Sequence, residues 1–187
     1  GLSSNDLPRI AAEVAPNLDR IPLITDQLQQ SLINVLTLTK LARGALKDDP
    51  QVKIGPSDLL DLSRTFYWGA SLGGIQGVGF ISISDDISRA VFGVPGSAWS
   101  TMISRSIVFP PLRAFLNPHY PDPLDFLLGV SLIQSRFDHA DPANLSKMMF
   151  EHPPPGASKD RMVILEEAIG DSQVPNMTTG ILGRALG

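Results

Sequence analysis

An α/β fold built on a parallel sheet is predicted by apolar segments that alternate with helical ones. The apolar run 64–68 ends at a glycine, a helical segment follows at 73–83, and a second buried run lies at 89–94. A strand, a helix and a strand within about thirty residues are typical of the right-handed crossover of a parallel sheet. A third strand is predicted at 161–166, before a final helix at 177–186 that Asn176 caps.

The composition is that of a folded chain with one sizeable core. Of the 187 residues, 43% are hydrophobic and 18% are charged, which is typical of a globular domain and not of a disordered segment. The net charge of −4 provides no basic surface for nucleic acid. No apolar run has the length of a membrane span. Because cysteine is absent, disulfides, a cysteine nucleophile and thiolate metal ligands are excluded.

The first sixty residues are predicted to be helical and then irregular. A capping residue among Ser4, Asn5 and Asp6 starts a short helix, and the clearest helix spans about 25–46, capped by Thr25 or Asp26. The polar stretch 47–62 is predicted to be a loop with at most one helical turn near 57–60. Its carboxylates are interpreted as solvated groups, and no metal or other cofactor is expected. They are Asp48, Asp49, Asp58 and Asp61.

The chain divides into a core at 1–97, a helical insertion at 98–150 and a second core segment at 151–187. Within the insertion, a helix at 99–108 is broken by Pro110 and Pro111, and another starts at Pro123. An apolar helical excursion between two strands fits a lid over an active site. A plain helical insertion fits the periodicity equally well.

The stretch from Gly69 to Gly73 has the pattern Gly-x-Ser-x-Gly between a strand and a helix. In this context the serine, Ser71, lies at the tip of a tight turn with its hydroxyl clear of the sheet. We expect Gly69 and Gly73 to be glycine because a Cβ at either position would collide with neighbouring backbone. The N–H groups at the start of the following helix would face a developing oxyanion.

A serine nucleophile needs a base, and the base needs an orienting carboxylate. Asp171 follows the third strand, so it is predicted at the same sheet edge as Ser71, because the carboxyl ends of parallel strands share one edge. Asp138 is a fallback acid. Asp141 precedes Pro142 and is explained as a helix cap.

The base is not evident from the sequence. The histidines are His119, His139 and His152, and none of them follows Asp171. Only His139 has a suggestive setting, because Asp138 and Asp141 flank it, so it is a fallback base. The simpler interpretation is that the base lies outside this sequence.

Five segments together resemble the α/β-hydrolase superfamily, and most closely its bacterial lipase and esterase members, including virulence-factor lipases. They are the helix at 26–31, the turn at 68–77, the strand and turn at 91–96, and the stretches 138–144 and 170–176. The resemblance covers nearly the whole chain. The turn at 68–77 is specific only for the superfamily, whereas the pairing of the last two stretches is more discriminating.

The resemblance implies a serine ester hydrolase with Ser71 as nucleophile, Asp171 as acid and the Leu72 N–H as an oxyanion donor. It also implies that strands before the long helix, and a later loop with the histidine, come from another chain or segment. The start at Gly1 without a methionine fits a processed or partial chain. A non-catalytic binding protein of this fold is the alternative. The resemblance further implies an ester or lipid substrate and a secreted or cell-envelope location.

Overall fold

The computed structural model describes residues 6–187 and shows a three-stranded parallel sheet with helices packed on one face. A two-stranded antiparallel ribbon lies in the loop before it. The strands are β1 (Lys53–Ile54), β2 (Ser57–Asp58), β3 (Tyr67–Ala70), β4 (Arg89–Gly93) and β5 (Met162–Glu166). The helices are α1 (Asp6–Arg9), α2 (Pro22–Arg43), α3 (Ala45–Asp48), α4 (Leu72–Ile83), α5 (Trp99–Arg105), α6 (Phe109–Leu116), α7 (Pro123–Phe137), α8 (Pro142–Phe150) and α9 (Asn176–Leu186).

The sheet has the order β3-β4-β5, and both strand pairs are parallel. Ala70 is opposite Gly93, and Gly93 is opposite Glu166. The last residues of the three strands therefore form one row. The predicted crossover through α4 and the predicted third strand are both confirmed.

One face of the sheet is covered by a helical layer. Helices α2, α4, α8 and α9 contribute to a single apolar core with the inward side chains of the strands. Phe92 and Val78 are fully buried there, together with Met149 of α8. The end of the predicted insertion at 98–150 thus packs into the sheet core.

The other face of the sheet is apolar and exposed. Its most exposed side chains are Phe66 (66%), Trp68 (67%), Met162 (61%) and Ile164 (56%). Parallel sheets are ordinarily buried on both faces. The sheet topology explains this exposure. The connections from β3 to β4 and from β4 to β5 each move one strand across the sheet toward the same side. Right-handed crossovers that move toward the same side place their helices on the same face.

A second apolar core lies beyond the strand ends, between α2, α5 and α7. It contains Leu28, Trp99 and Phe137, with the Trp99 and Phe137 rings stacked at a centroid distance of 5.8 Å. Ile75 of α4 belongs to the same cluster. The first turn of α4 therefore joins the two cores.

Several predicted boundaries are wrong because proline starts a helix more readily than it ends one. Helix α2 begins at Pro22, so Thr25 lies inside it, fully buried, and does not cap it. Pro110 and Pro111 occupy the first turn of α6 and do not break a helix. The cap predicted at Asp141 is confirmed, because its side chain accepts the Ala143 N–H.

Two further expectations in the loops are corrected. The turn predicted near residues 57–60 is β2 of the small ribbon. Asn176 does not cap α9; its amide instead accepts the Gly170 N–H and donates to the Ala168 carbonyl. The capping residues considered at Ser4 and Asn5 lie outside the described residues.

Candidate active site

Ser71 has a backbone conformation that residues other than glycine seldom adopt. Its φ and ψ are 53° and −123°, between the end of β3 and the start of α4. Its N–H donates to the Gly93 carbonyl at 3.0 Å, and its carbonyl accepts the Ile75 N–H at 2.9 Å. Such a conformation costs about 1–3 kcal/mol and persists only where the surrounding structure enforces it. The side chain is exposed, and within residues 6–187 its hydroxyl has no hydrogen-bond partner.

The glycines around Ser71 differ in how strictly they are required. A Cβ on Gly69 would lie 2.6 Å from the Tyr67 hydroxyl and 2.7 Å from the Gly73 carbonyl oxygen. A Cβ on Gly73 would meet only the Tyr67 hydroxyl, at 3.9 Å. The expectation that Gly73 is sterically required is therefore wrong. The second essential glycine is Gly74, where a Cβ would lie 2.5 Å from the Gly93 carbonyl oxygen.

Tyr67 fixes the start of α4 against β3. Its hydroxyl donates to the Gly73 carbonyl at 2.7 Å, and its ring packs near Phe80 and Phe92. The ring also occupies the space that the missing side chain of Gly77 leaves. Burial raises the pKa of the Tyr67 hydroxyl above its ordinary value.

Replacing Tyr67 by phenylalanine is expected to change the alkaline stability of the protein. The folded state retains the phenolic proton above the ordinary pKa, so stability is full below about pH 10 and falls as the pH rises through the folded pKa. Tyr67→Phe should remove the decrease in stability that ionisation of this hydroxyl causes at alkaline pH. It should also lower the free energy of unfolding by about 1 kcal/mol at neutral pH, because the Gly73 carbonyl loses its donor. Urea unfolding at pH 7 to 11 measures both effects.

Tyr120→Phe is the matched control, because no side-chain hydrogen bond of Tyr120 is found within the described residues. If the stability of Tyr67→Phe fell with rising pH as steeply as that of the parent, this role of the hydroxyl would be contradicted.

Backbone strain is concentrated where β3 and β4 end. Besides Ser71, the non-glycine residues with positive φ in the described part of the chain are Val94 (41°) and Ala98 (54°). Val94 is held by a hydrogen bond from its N–H to the Glu166 carbonyl at 2.7 Å. Strained residues of this kind cluster at functional sites, so this sheet edge is the candidate site.

The first turn of α4 contains the backbone N–H groups that are predicted to face a developing oxyanion. The N–H groups of Leu72 and Gly73 precede any carbonyl that their own helix could offer them. The positive end of the helix dipole adds to their effect. The Leu72 side chain packs against the core beyond the strand ends.

Asp171 lies in the loop after β5, with its carboxylate oriented by the loop backbone. Its Oδ1 accepts the N–H groups of Gln173 at 2.8 Å and Val174 at 3.0 Å. Within residues 6–187 no donor reaches its Oδ2. The loop therefore holds the carboxylate and leaves one oxygen available.

Two strand spacings, or about 10 Å, separate the ends of β3 and β5. Ser71 directly follows β3, whereas Asp171 lies further along the chain, in the loop after Glu166, and no hydrogen bond joins their side chains in the described chain.

Asp141 and Asp138 differ completely in their surroundings. Asp141 is 1% exposed and accepts hydrogen bonds from the N–H groups of Ala98, Trp99 and Ala143 and from the Gln134 amide. Asp138 is exposed, and within residues 6–187 its carboxylate accepts a hydrogen bond only from Gln134. The structure thus gives Asp141 an architectural role, and it gives the fallback acid Asp138 no hydrogen bond to Ser71.

The structure does not bring a histidine into hydrogen-bond contact with either Ser71 or Asp171 among the described residues. His119, His139 and His152 are all exposed. His139 is tied to α2 only through its carbonyl, which accepts the Gln29 amide at 3.3 Å. The described part of the chain therefore has Ser71, the Leu72 N–H and Asp171 after the ends of β3 and β5, without a histidine bonded to Ser71 or Asp171.

Glu166 is a carboxylate at the same edge that the sequence reasoning missed. It is the last residue of β5 and lies beside Gly93, with its Oε2 3.5 Å from the position that a Cβ there would take. Strand alternation places Glu166 on the exposed face with Ile164. The alternation of side chains along the predicted strand could have identified Glu166 from the sequence.

Two spaces lie next to this edge. A cavity of about 90 Å³ between the N-terminal segment, α5 and α7 is almost wholly apolar in its lining. A cleft of about 540 Å³ runs between α5, α6 and Ser172, the residue after Asp171. Ser104 and Phe109 line both spaces, so the cavity and the cleft adjoin.

Within residues 6–187, no three histidine, aspartate or glutamate side chains gather as metal ligands. None of the described helices is long and apolar enough to cross a membrane.

No family model matches the chain, and neither a curated protein nor a solved structure is significantly similar to it. The fold and the geometry of the site therefore carry the functional argument.

Proposed function

We propose that this protein is a serine carboxylic-ester hydrolase of the α/β-hydrolase type, with Ser71 as its nucleophile. The observation that carries the proposal is the enforced positive φ of Ser71 at a turn from strand to helix. The Ser71 side chain is exposed at the start of a helix whose first N–H groups have no carbonyl partner within that helix.

In the proposed reaction the Ser71 Oγ attacks the ester carbonyl carbon while a base takes the hydroxyl proton. The Leu72 N–H donates to the oxyanion of the tetrahedral intermediate. The intermediate collapses, the base returns the proton to the departing alcohol, and an acyl group remains on Ser71. Water then attacks the acyl carbonyl by the same route, releasing the carboxylic acid and restoring the serine.

The acid of this scheme is Asp171, whose Oδ1 is held by two backbone donors and whose Oδ2 is available. An imidazole between the two strand ends would bond to that carboxylate and to the Ser71 hydroxyl. We infer that this histidine comes from a further segment or chain, which adds strands beside β3 and helices on the exposed face. The unpaired outer edge of β3 and the exposed Trp68 and Ile164 support such a partner.

A fluorophosphonate probe tests the nucleophile in the complete assembly from the source organism. The expected result is one modified residue, Ser71, located by peptide mass spectrometry. Ser71→Ala should abolish labelling and lower the hydrolysis of p-nitrophenyl esters at least about a thousandfold. Ser131→Ala, an exposed serine on α7, is the matched control and should change neither.

The variants Asp171→Asn and Glu166→Gln test which of the two carboxylates is the acid of the proposed reaction. Loss of turnover with Asp171→Asn alone supports the proposed acid, whereas loss with Glu166→Gln alone assigns that role to Glu166. The enzyme proposal fails if Ser71 stays unlabelled in the assembly and Ser71→Ala leaves ester turnover unchanged. Intact mass and end sequencing of the source protein test the further segment, and a single 187-residue product acting alone would exclude it.

A non-catalytic binding protein of the same fold is the second candidate. The exposed positions of His119, His139 and His152, none of them bonded to Ser71 or Asp171 in the described chain, favour it. Such a protein would bind an ester without turnover. The labelling experiment distinguishes the two, because an unactivated serine does not react with the probe.

A further inference from the structure

The cleft beside the Asp171 loop is an open surface groove in the described part of the chain. Helices α5 and α6 form its sides, and a hydrogen bond from the Ile107 N–H to the Ser172 carbonyl at 2.8 Å ties them to the loop. Its volume of about 540 Å³ is within the range of small-molecule sites. The groove therefore has the dimensions of a ligand site.

The charged side chains that line this cleft are Arg105 and Arg113, and no carboxylate lines it. Arg105 donates to the Thr101 carbonyl and the Ser104 hydroxyl, both neutral. Arg113 donates to the Asn117 amide oxygen and lies 4.8 Å from the centroid of the Phe126 ring. Neither guanidinium forms an ion pair within residues 6–187, although the chain carries a net charge of −4.

Other arginines show that this chain ordinarily pairs its guanidinium groups. Arg43 pairs with Asp86 at 3.2 Å, and Arg89 pairs with Asp160 at 2.9 Å. The Asp171 carboxylate, one residue from the cleft, is directed to the backbone of its own loop. Two neighbouring cations with only neutral partners are suited to a carboxylate, for which the guanidinium fork has the right geometry.

The cavity adjoins the cleft at Phe109 and is lined almost wholly by apolar side chains. Ile103, Val130 and Ile133 contribute to its lining. At about 90 Å³ it is smaller than the roughly 150 Å³ that holds a benzene ring in a protein core. A short unbranched chain fits this space better than a ring or a long acyl chain.

We propose that the cleft and cavity form a binding site for a short aliphatic carboxylate. The carboxylate lies between Arg105 and Arg113, and the chain passes Phe109 into the apolar cavity. The site requires no turnover at Ser71, so it does not depend on the proposed hydrolase activity.

Isothermal titration of the Ser71→Ala protein with straight-chain carboxylates from acetate to decanoate tests the site. Affinity should rise about fourfold per methylene up to hexanoate and then stop rising, because the cavity is full. Arg113→Gln and Arg105→Gln should each weaken hexanoate binding about tenfold. Arg136→Gln, which makes the same charge change outside the cleft, should leave the affinity within about twofold.

Hexanol and Val130→Phe complete the design. Hexanol lacks the charge and should bind at least about tenfold more weakly than hexanoate. Val130→Phe fills the cavity and should remove the advantage of hexanoate over acetate while acetate binding stays unchanged. Equal binding of hexanol and hexanoate, an Arg136→Gln loss as large as that of Arg113→Gln, or no binding of any carboxylate would overturn the proposal.

Discussion

Replacing Gly74 by alanine is expected to destabilise the protein by about 3 kcal/mol or more, whereas Gly73→Ala is expected to be tolerated. The new methyl group at Gly74 would lie 2.5 Å from the Gly93 carbonyl oxygen and 3.1 Å from that of Gly69. Both obstacles are backbone atoms of the sheet, so neither can move alone. At Gly73 only the Tyr67 hydroxyl is near, at 3.9 Å. Urea unfolding of the two variants beside the parent measures the difference.

Gly73→Ala is the matched control because it makes the same change one residue away in the same helix. Alanine exceeds glycine in helix propensity by about 1 kcal/mol, so this variant should be as stable as the parent or more stable. Fluorophosphonate labelling of Ser71 in the assembly should persist in Gly73→Ala and be lost in Gly74→Ala. Equal stabilities of the two variants would show that α4 does not pack against β4 as closely as described.

Replacing Asp141 by alanine is expected to cost about 3–5 kcal/mol, the other large effect. The carboxylate accepts hydrogen bonds from three backbone N–H groups and from the Gln134 amide at 2.9–3.1 Å. Its loss leaves the Trp99 N–H buried without an acceptor. It also releases Ala98, whose positive φ is held by the same carboxylate. Chemical denaturation at pH 7 measures the cost.

Asp138→Ala, three residues earlier, is the comparison. Asp138 is exposed, and in the described chain its carboxylate accepts a hydrogen bond only from Gln134, so its loss should change stability by less than about 1 kcal/mol. A similar cost for both variants would be incompatible with an architectural role of Asp141. If Asp138→Ala abolished ester turnover without destabilising the protein, the fallback acid would take the place of Asp171.

The sheet and the sheet edge that carries Ser71 were predictable from local patterns. Apolar runs at 64–68, 89–94 and 161–166 correspond to β3, β4 and β5 with boundaries shifted by a few residues. Their parallel order followed from the crossover, since a strand, a helix and a strand leave few alternatives. The strand-to-helix turn at Ser71 followed from glycines on both sides of a serine.

What local patterns could not give depends on neighbours distant in the chain. Gly74, and not Gly73, must be glycine because β4 brings the Gly93 carbonyl against α4. Asn176 holds the loop of Asp171 and does not cap α9, because its amide bonds to the Gly170 N–H and the Ala168 carbonyl. Glu166 was overlooked because only the strand register places it beside Gly93.

The α/β class, the turn that presents Ser71 and the loop position of Asp171 follow from spacing, propensity and turn chemistry, which are local properties of the chain. Packing between distant segments sets all the helices of the sheet core on one face and leaves Trp68 and Ile164 exposed. The same packing makes Asp141 architectural and brings the strained residues to one edge. These features arise from contacts across tens of residues, which no local pattern encodes.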